Sequence, residues 1–137
     1  MPLPYTGGCA CGALRYEAAA EPIFSNHCQC RDCQRESGTG HSSYLTFRRE
    51  GVATSGTPGH WDMTGDSGNT KTRAFCPTCG VAVWLTFSAM PDLIAIRAAS
   101  LDDPAQFVPQ VVTYAVRGHA WDVLDPALPK FDRMPAG

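Results

Sequence analysis

The chain has 137 residues, 44% of them hydrophobic and 18% charged, a balance that suits one folded domain over residues 1–137 and excludes a disordered or fibrous chain. Eleven basic residues against thirteen acidic ones give a net charge of -2, so the basic footprint of a nucleic-acid binder is missing. The longest apolar run, residues 81–85, is far short of the roughly 20 residues that span a bilayer, which excludes a transmembrane helix.

Residues 1–8 hold two prolines and two glycines but no basic residue and no apolar stretch, so no secretory signal is expected and the cytoplasm is the expected location. Cys9 and Cys11 follow as a CxC pair. Both thiolates of such a pair reach one metal from a tight turn, and Gly7, Gly8 and Gly12 supply the backbone freedom for it. The next segment, residues 13–18, alternates Leu14 and Tyr16 with polar side chains and reads as a strand.

The second cluster reads Cys28-Gln29-Cys30-Arg31-Asp32-Cys33, three thiolates that leave one coordination position for another group. Three protein ligands with an open position is the pattern of catalytic zinc. Residues 31–36 are the best helical candidate, stopped by Ser37-Gly38. Arg31 and Arg35 sit beside the cysteines, where a guanidinium offsets an anionic metal centre or holds an acidic substrate group, and Arg35 rather than Arg31 is the substrate-binding candidate. The plain alternative is two solvated surface arginines.

Residues 44–48 and 72–75 read as strands, and the Gly, Ser, Thr and Asp-rich stretch 50–69 as short strands and loops of the same domain. Cys76-Pro77-Thr78-Cys79-Gly80 is a CxxC knuckle whose backbone amides can donate to the thiolates. Strands are expected at residues 81–87, 93–98 and 111–116, with a turn of helix at 102–106. Thirteen glycines and eleven prolines, with no clear helical periodicity over ten residues, predict a mainly β domain of short antiparallel strands with little helix.

Seven cysteines cannot pair completely into disulfides within one chain, and a reducing compartment would keep them as thiols. Four plus three matches one closed zinc site, Cys9, Cys11, Cys76 and Cys79, and one open site, Cys28, Cys30 and Cys33. A four-sulfur site also suits an iron–sulfur cluster, but the spacings do not match ferredoxin runs. His27 precedes Cys28, and on an extended strand its side chain points the other way. His41, His60 and His119 lie in no motif and read as solvent-facing or hydrogen-bonded in the core, and Trp61, Trp84 and Trp121 either wall a pocket beside the open metal site or, as most aromatics of so small a β domain do, lie in the core.

The ordered set Gly8-Cys9-x-Cys11-Gly12, Cys28-x-Cys30-x-x-Cys33 with Ser37-Gly38, and Phe75-Cys76-x-x-Cys79-Gly80 resembles the glutathione-dependent formaldehyde-activating enzymes, a family that includes centromere protein V-like proteins. Weaker matches follow at Ser100-Leu101-Asp102, Trp121 and Leu128-Pro129-x-Phe131. The resemblance implies an Mss4-like zinc-stabilised β fold with two zinc sites. Cys9, Cys11, Cys76 and Cys79 look like the structural ligands, and Cys28, Cys30 and Cys33 like those of the catalytic zinc. The implied activity joins glutathione, as the small-molecule thiol, to formaldehyde, formally a carbon–sulfur lyase reaction run in reverse. Two positions depart from the family pattern: Gln29 stands where His is common, and Val81 where Ser commonly follows the CxxCG.

An alternative of another class is a non-catalytic zinc module that binds a protein partner. The open three-cysteine cluster favours the enzyme, because a purely structural module has no need of it. Nucleic-acid binding, by analogy with the centromeric relatives, is disfavoured by the acidic balance.

Overall fold

A computed structural model describes residues 3–65 and 67–135. The chain starts with β1 (Tyr5–Gly8) and β2 (Arg15–Ala18), an antiparallel pair around the first CxC turn. Then come β3 (Phe24–Cys28), α1 (Arg31–Ser37), β4 (Ser42–Arg48) and β5 (Val52–Ser55). β6 (Gly59–Thr64), β7 (Thr70–Phe75), β8 (Ala82–Phe87) and β9 (Leu93–Arg97) form a meander, and β10 (Val111–Thr113) follows. The mainly β expectation holds. The described strands make a three-stranded sheet, β1-β2-β5, and a seven-stranded sheet, β10-β3-β4-β9-β8-β7-β6.

One pairing departs from an all-antiparallel arrangement: β10 runs parallel to β3, Thr113 opposite Cys28. It reaches that edge by a crossover from β9 rather than from a hairpin, and a parallel strand needs such a connection. The far side of β10 is closed by the C-terminal segment, where Val112 N–H donates to Pro129 O and Phe131 N–H to Val112 O, each at 2.9 Å. This is the role of the Leu128-Pro129-x-Phe131 match.

β1, β3, β5 and β6 were not individually expected. β1 is masked by its glycines, yet Gly7 is needed there: a Cβ would stand 2.2 Å from Ser100 O and 2.3 Å from the Tyr16 hydroxyl. The expected strand 111–116 stops at Thr113 because Tyr114 takes a left-handed conformation (φ 55°) and the chain turns into a 3-10 turn, Ala115–Arg117. The expected turn at 102–106 is present as Pro104–Gln106, capped by Asp103.

The central strands are buried on both faces. Leu45 and Phe47 of β4, Ile94 and Ile96 of β9, and Val83 of β8 pack with Tyr5, Leu14 and Tyr16 of the small sheet, and Cys9 and Cys76 belong to this cluster. Each such side chain, buried to a few per cent, contributes about 1.5–3 kcal/mol. Alternation sends Tyr44 and Ala95 to the opposite face, where with Leu85 they pack with Cys28 and with Cys33 of α1; Val83 stays in the first cluster at the register shift between β7 and β8. The two cysteine groups therefore join opposite faces of one sheet. Ser100, Leu101 and Asp102 tie the layers together: Ser100 bonds the Tyr16 hydroxyl at 2.7 Å, Leu101 is buried, and Asp102 pairs with Arg15 at 2.5 Å.

Candidate metal centres and the cleft over the second

The CxC turn between β1 and β2 meets the knuckle between β7 and β8. The Sγ atoms lie 3.7 Å apart for Cys9 and Cys11 and 3.6 Å for Cys11 and Cys76, with all four ligand atoms of Cys9, Cys11, Cys76 and Cys79 within 4.8 Å of one another. Disulfides require about 2.05 Å. A tetrahedron with zinc–sulfur bonds of about 2.3 Å has edges of roughly 3.8 Å, so the donor set fits zinc. Backbone amides point at these sulfurs: Leu14 N–H to Cys9 at 3.3 Å, Thr78 and Cys79 N–H to Cys76 at 3.4 and 3.5 Å. The Leu14 amide is the largest cause lowering the Cys9 thiol, and the Val81 and Cys11 amides do the same for Cys79, which favours the thiolate a metal needs. Gly80 takes φ 78° to let the knuckle close, with its N–H on Cys76 O at 2.8 Å.

The second group is assembled by the end of β3 and the first turn of α1. Cys28, Cys30 and Cys33 bring their ligand atoms within 4.8 Å of one another. Cys30 is the N-cap of α1, its Sγ accepting the Cys33 N–H at 3.3 Å, so the helix start fixes two of the three thiols. Gly38, at φ 78°, ends the helix as expected. Hydrogen bonds from Cys28 and Cys33, with the Lys71 charge further down, hold the Cys30 thiol well below its ordinary value. Its partners are pushed up, as when three close thiols share one negative charge. Three sulfurs on one side with a cleft on the other fit a zinc with an open position.

That cleft, of about 340 Å³, is lined by Cys30, Arg31, Asp32, Thr64, Gly65, Lys71, Tyr114 and Arg117. Three of the eight are cationic. Lys71 Nζ stands 4.0 Å from Cys30 Sγ and 3.6 Å from Asp32 Oδ2. Beneath the group, the buried Tyr44 hydroxyl lies 3.7 Å from Cys33 Sγ. Burial first, then the neighbouring negative charges, raise the phenol far above its usual range, so it stays neutral beside the sulfur. Glu36 has a side chain only 1% exposed, 3.7 Å from Arg97 Nη1, and burial raises its carboxyl.

Of the two arginines singled out in the sequence, Arg31 lines the cleft and Arg35, one helical turn on, is exposed and is not among the lining residues. His27 faces away from the thiols, as alternation requires, with Nδ1 2.7 Å from Ser43 Oγ and its ring against His41 and Phe107. His41 and Gln29 both bond Asp122, at 2.9 and 3.0 Å, so Gln29 anchors the C-terminal segment. Val81 packs against the core, and its carbonyl accepts the Cys76 N–H at 2.9 Å. Trp84 is in the core, but Trp61 and Trp121 are 61% and 67% exposed, which corrects the expectation for them. Trp121 stacks on His119 instead, the ring centroids 4.8 Å apart.

The family model of the glutathione-dependent formaldehyde-activating enzyme matches residues 4–117, a span that takes in both cysteine groups. The chain belongs to this family. A crystal structure of a Rhodobacter sphaeroides protein is 22% identical and superposes with a TM-score of 0.60, covering 79% of this chain and 99% of that one, which shows a shared fold. No curated protein sequence matches significantly. Among the described residues no helix is long and apolar enough to cross a membrane.

The sequence reading of this family member missed Lys71, Tyr44, Tyr114 and Arg117. Lys71 and Arg73 alternate in the sequence, and the signal was available: extending the strand two residues N-terminally from Thr72 puts both on one face, opposite Met63 and Trp61 of β6. Tyr114 carried no sequence mark of its left-handed backbone, a conformation that in a non-glycine residue often accompanies a functional site.

Proposed function

We propose that the chain is a zinc-dependent carbon–sulfur lyase that joins an anionic thiol such as glutathione to formaldehyde, forming S-hydroxymethylglutathione, and catalyses the reverse. Membership of the family supports the glutathione and formaldehyde chemistry. The observation that carries the finer reading is a three-thiol group opening into a cleft lined by Arg31, Lys71 and Arg117.

In this reading Cys9, Cys11, Cys76 and Cys79 hold a structural zinc, and Cys28, Cys30 and Cys33 a second one. The second zinc, when bound, supplies Lewis acidity that favours the thiolate of an entering thiol at neutral pH. Cys30 fixes the first turn of α1, so the side facing Thr64 and Gly65 is the side left for substrate. Arg31 and Arg117 present fixed charges to the carboxylates of a glutathione-like molecule. Arg35, outside the cleft, adds long-range attraction for the same anion. The Tyr44 hydroxyl donates to Cys33 and holds its orientation. Reduced thiols are required, which fits a reducing compartment such as the cytoplasm.

The test uses protein carrying cobalt(II) in place of zinc. Glutathione titration should change the visible spectrum as a further sulfur enters the second site, and the protein should accelerate glutathione–formaldehyde exchange above the protein-free rate. A spectrum indifferent to glutathione at millimolar concentration would count against the reading.

A further inference from the structure

Lys71 has no assigned part in the chemistry, yet it lines the cleft and its ammonium contacts a metal-ligand candidate, Cys30. We propose that Lys71 is a catalytic residue: its ammonium stabilises the oxyanion that forms on the carbonyl oxygen as the thiolate adds, and the same charge stabilises that oxygen when the adduct breaks down. The inference rests on the proposed thiol–aldehyde reaction.

Three observations place the ammonium. The β6–β7–β8 register sets Lys71 opposite Met63 and Phe87, both packed onto the cluster around Cys28 and Cys33, so its alkyl stem runs along an apolar strip while the head points to the thiols. Nζ then stands 4.0 Å from Cys30 Sγ and 3.6 Å from Asp32 Oδ2, and the side chain is 17% exposed. Finally, Lys71 lines the same cleft as Tyr114 and Arg117, which come from the chain after β10. Asp32 holds the head in place, and an ammonium has three donors, one more than Asp32 and Cys30 together require.

The step balances without any further reactant. The thiolate sulfur donates a pair to the carbonyl carbon and the C–S bond forms. The π pair of the C=O bond moves onto oxygen, and that alkoxide takes a proton from water. The charge therefore develops on an atom one bond from the carbon attached to sulfur. In a cleft partly shielded from water, a fixed cation there lowers the barrier by stabilising charge absent from the starting aldehyde. A cation serving only as counter-ion to the thiolates would act on thiol and metal binding and leave the saturated rate alone.

The experiment uses the full zinc-loaded chain, glutathione and carbon-13 formaldehyde, with exchange followed by NMR and glutathione binding by the cobalt(II) spectrum. Lys71→Met should keep both metals and still bind glutathione, while the rate at saturating glutathione falls by about 10²–10³, the usual loss when one oxyanion donor is removed. Lys71→Arg, which keeps a charge, should recover a measurable part of that rate. If Lys71→Met stays within threefold of wild type at saturation, or if its whole loss lies in the glutathione concentration required, the role assigned to Lys71 is overturned and the lyase reading stands. If wild-type protein binds glutathione yet does not accelerate exchange, the lyase reading fails and this role fails with it.

Discussion

The two cysteine centres differ more in their surroundings than in their sulfurs. Around Cys9, Cys11, Cys76 and Cys79 the partners are backbone amides and core side chains such as Leu14 and Val83. Around Cys28, Cys30 and Cys33 they are one backbone amide, a phenol and an ammonium that the Asp32 carboxylate holds, beside a cleft. Backbone donors cannot be changed one at a time by evolution and serve a site whose task is to stay shut. Side-chain donors can be, and a site that handles substrate needs them.

The strongest way to break this contrast is Cys76→Ser. Cys76 is fully buried in the larger core cluster and its Sγ gathers two amides, so the variant should lose the first zinc and stability comparable to the whole of the roughly 5–15 kcal/mol of a small domain. Circular dichroism on heating measures this, and an unchanged melting temperature would remove the structural role. Cys30→Ser should behave oppositely. Serine is itself a good N-cap, so α1 keeps its first turn and the fold loses about 1 kcal/mol, while activity disappears.

Removing metal sharpens the comparison without mutation. A mild chelator should take the second zinc first, because three thiolates beside an open cleft hold it less firmly than four. Zinc release followed with a chromogenic chelator, alongside circular dichroism, should show one equivalent leaving while the fold persists. Two metals departing together as the signal collapses would make both centres structural and end the enzyme reading.

Tyr44→Phe tests a single side-chain donor. The phenol is buried, and its loss removes one hydrogen bond to sulfur at a cost of about 0.5–1.5 kcal/mol. The telling readout is spectroscopic: the sulfur-to-cobalt absorption of the substituted protein should shift, whereas a merely packing role would move the melting temperature alone.

Most of the fold was legible where hydrophobic alternation is strong. β4 and β9 carry it in Leu45 and Phe47 and in Ile94 and Ile96, while β8 shows itself as a short apolar run, Ala82 to Leu85. β3 reads Phe-Ser-Asn-His-Cys and hides, because Ser25 and Asn26 are buried by hydrogen bonds to Gln110 and Thr113 rather than by hydrophobicity. The metal donors were legible because CxC and CxxC spacings are local. Tyr44 was not, and for Lys71 the strand pattern shows only which face it takes, since the neighbours of both at the site are set by strand register across the sheet. The parallel β10 escaped for the same reason.

The smallest expected effect belongs to Arg35, the substrate-binding candidate of the sequence, which is exposed and does not line the cleft. An exposed charge outside the cleft acts on an anionic thiol through water and salt, over a Debye length of about 8 Å at physiological ionic strength. Such interactions amount to about 0.2–1 kcal/mol. Arg35→Ala should therefore weaken glutathione capture by about fivefold or less, with the deficit shrinking as salt is raised and the saturated rate unchanged. Arg31→Ala, which empties a position on the cleft wall, should weaken it more and retain most of the deficit in salt. Measuring both by cobalt(II) titration at low and high ionic strength separates contact from field. Equal losses with equal salt dependence would mean that Arg31, too, acts from a distance, and that the carboxylates of the thiol are held by Arg117 instead.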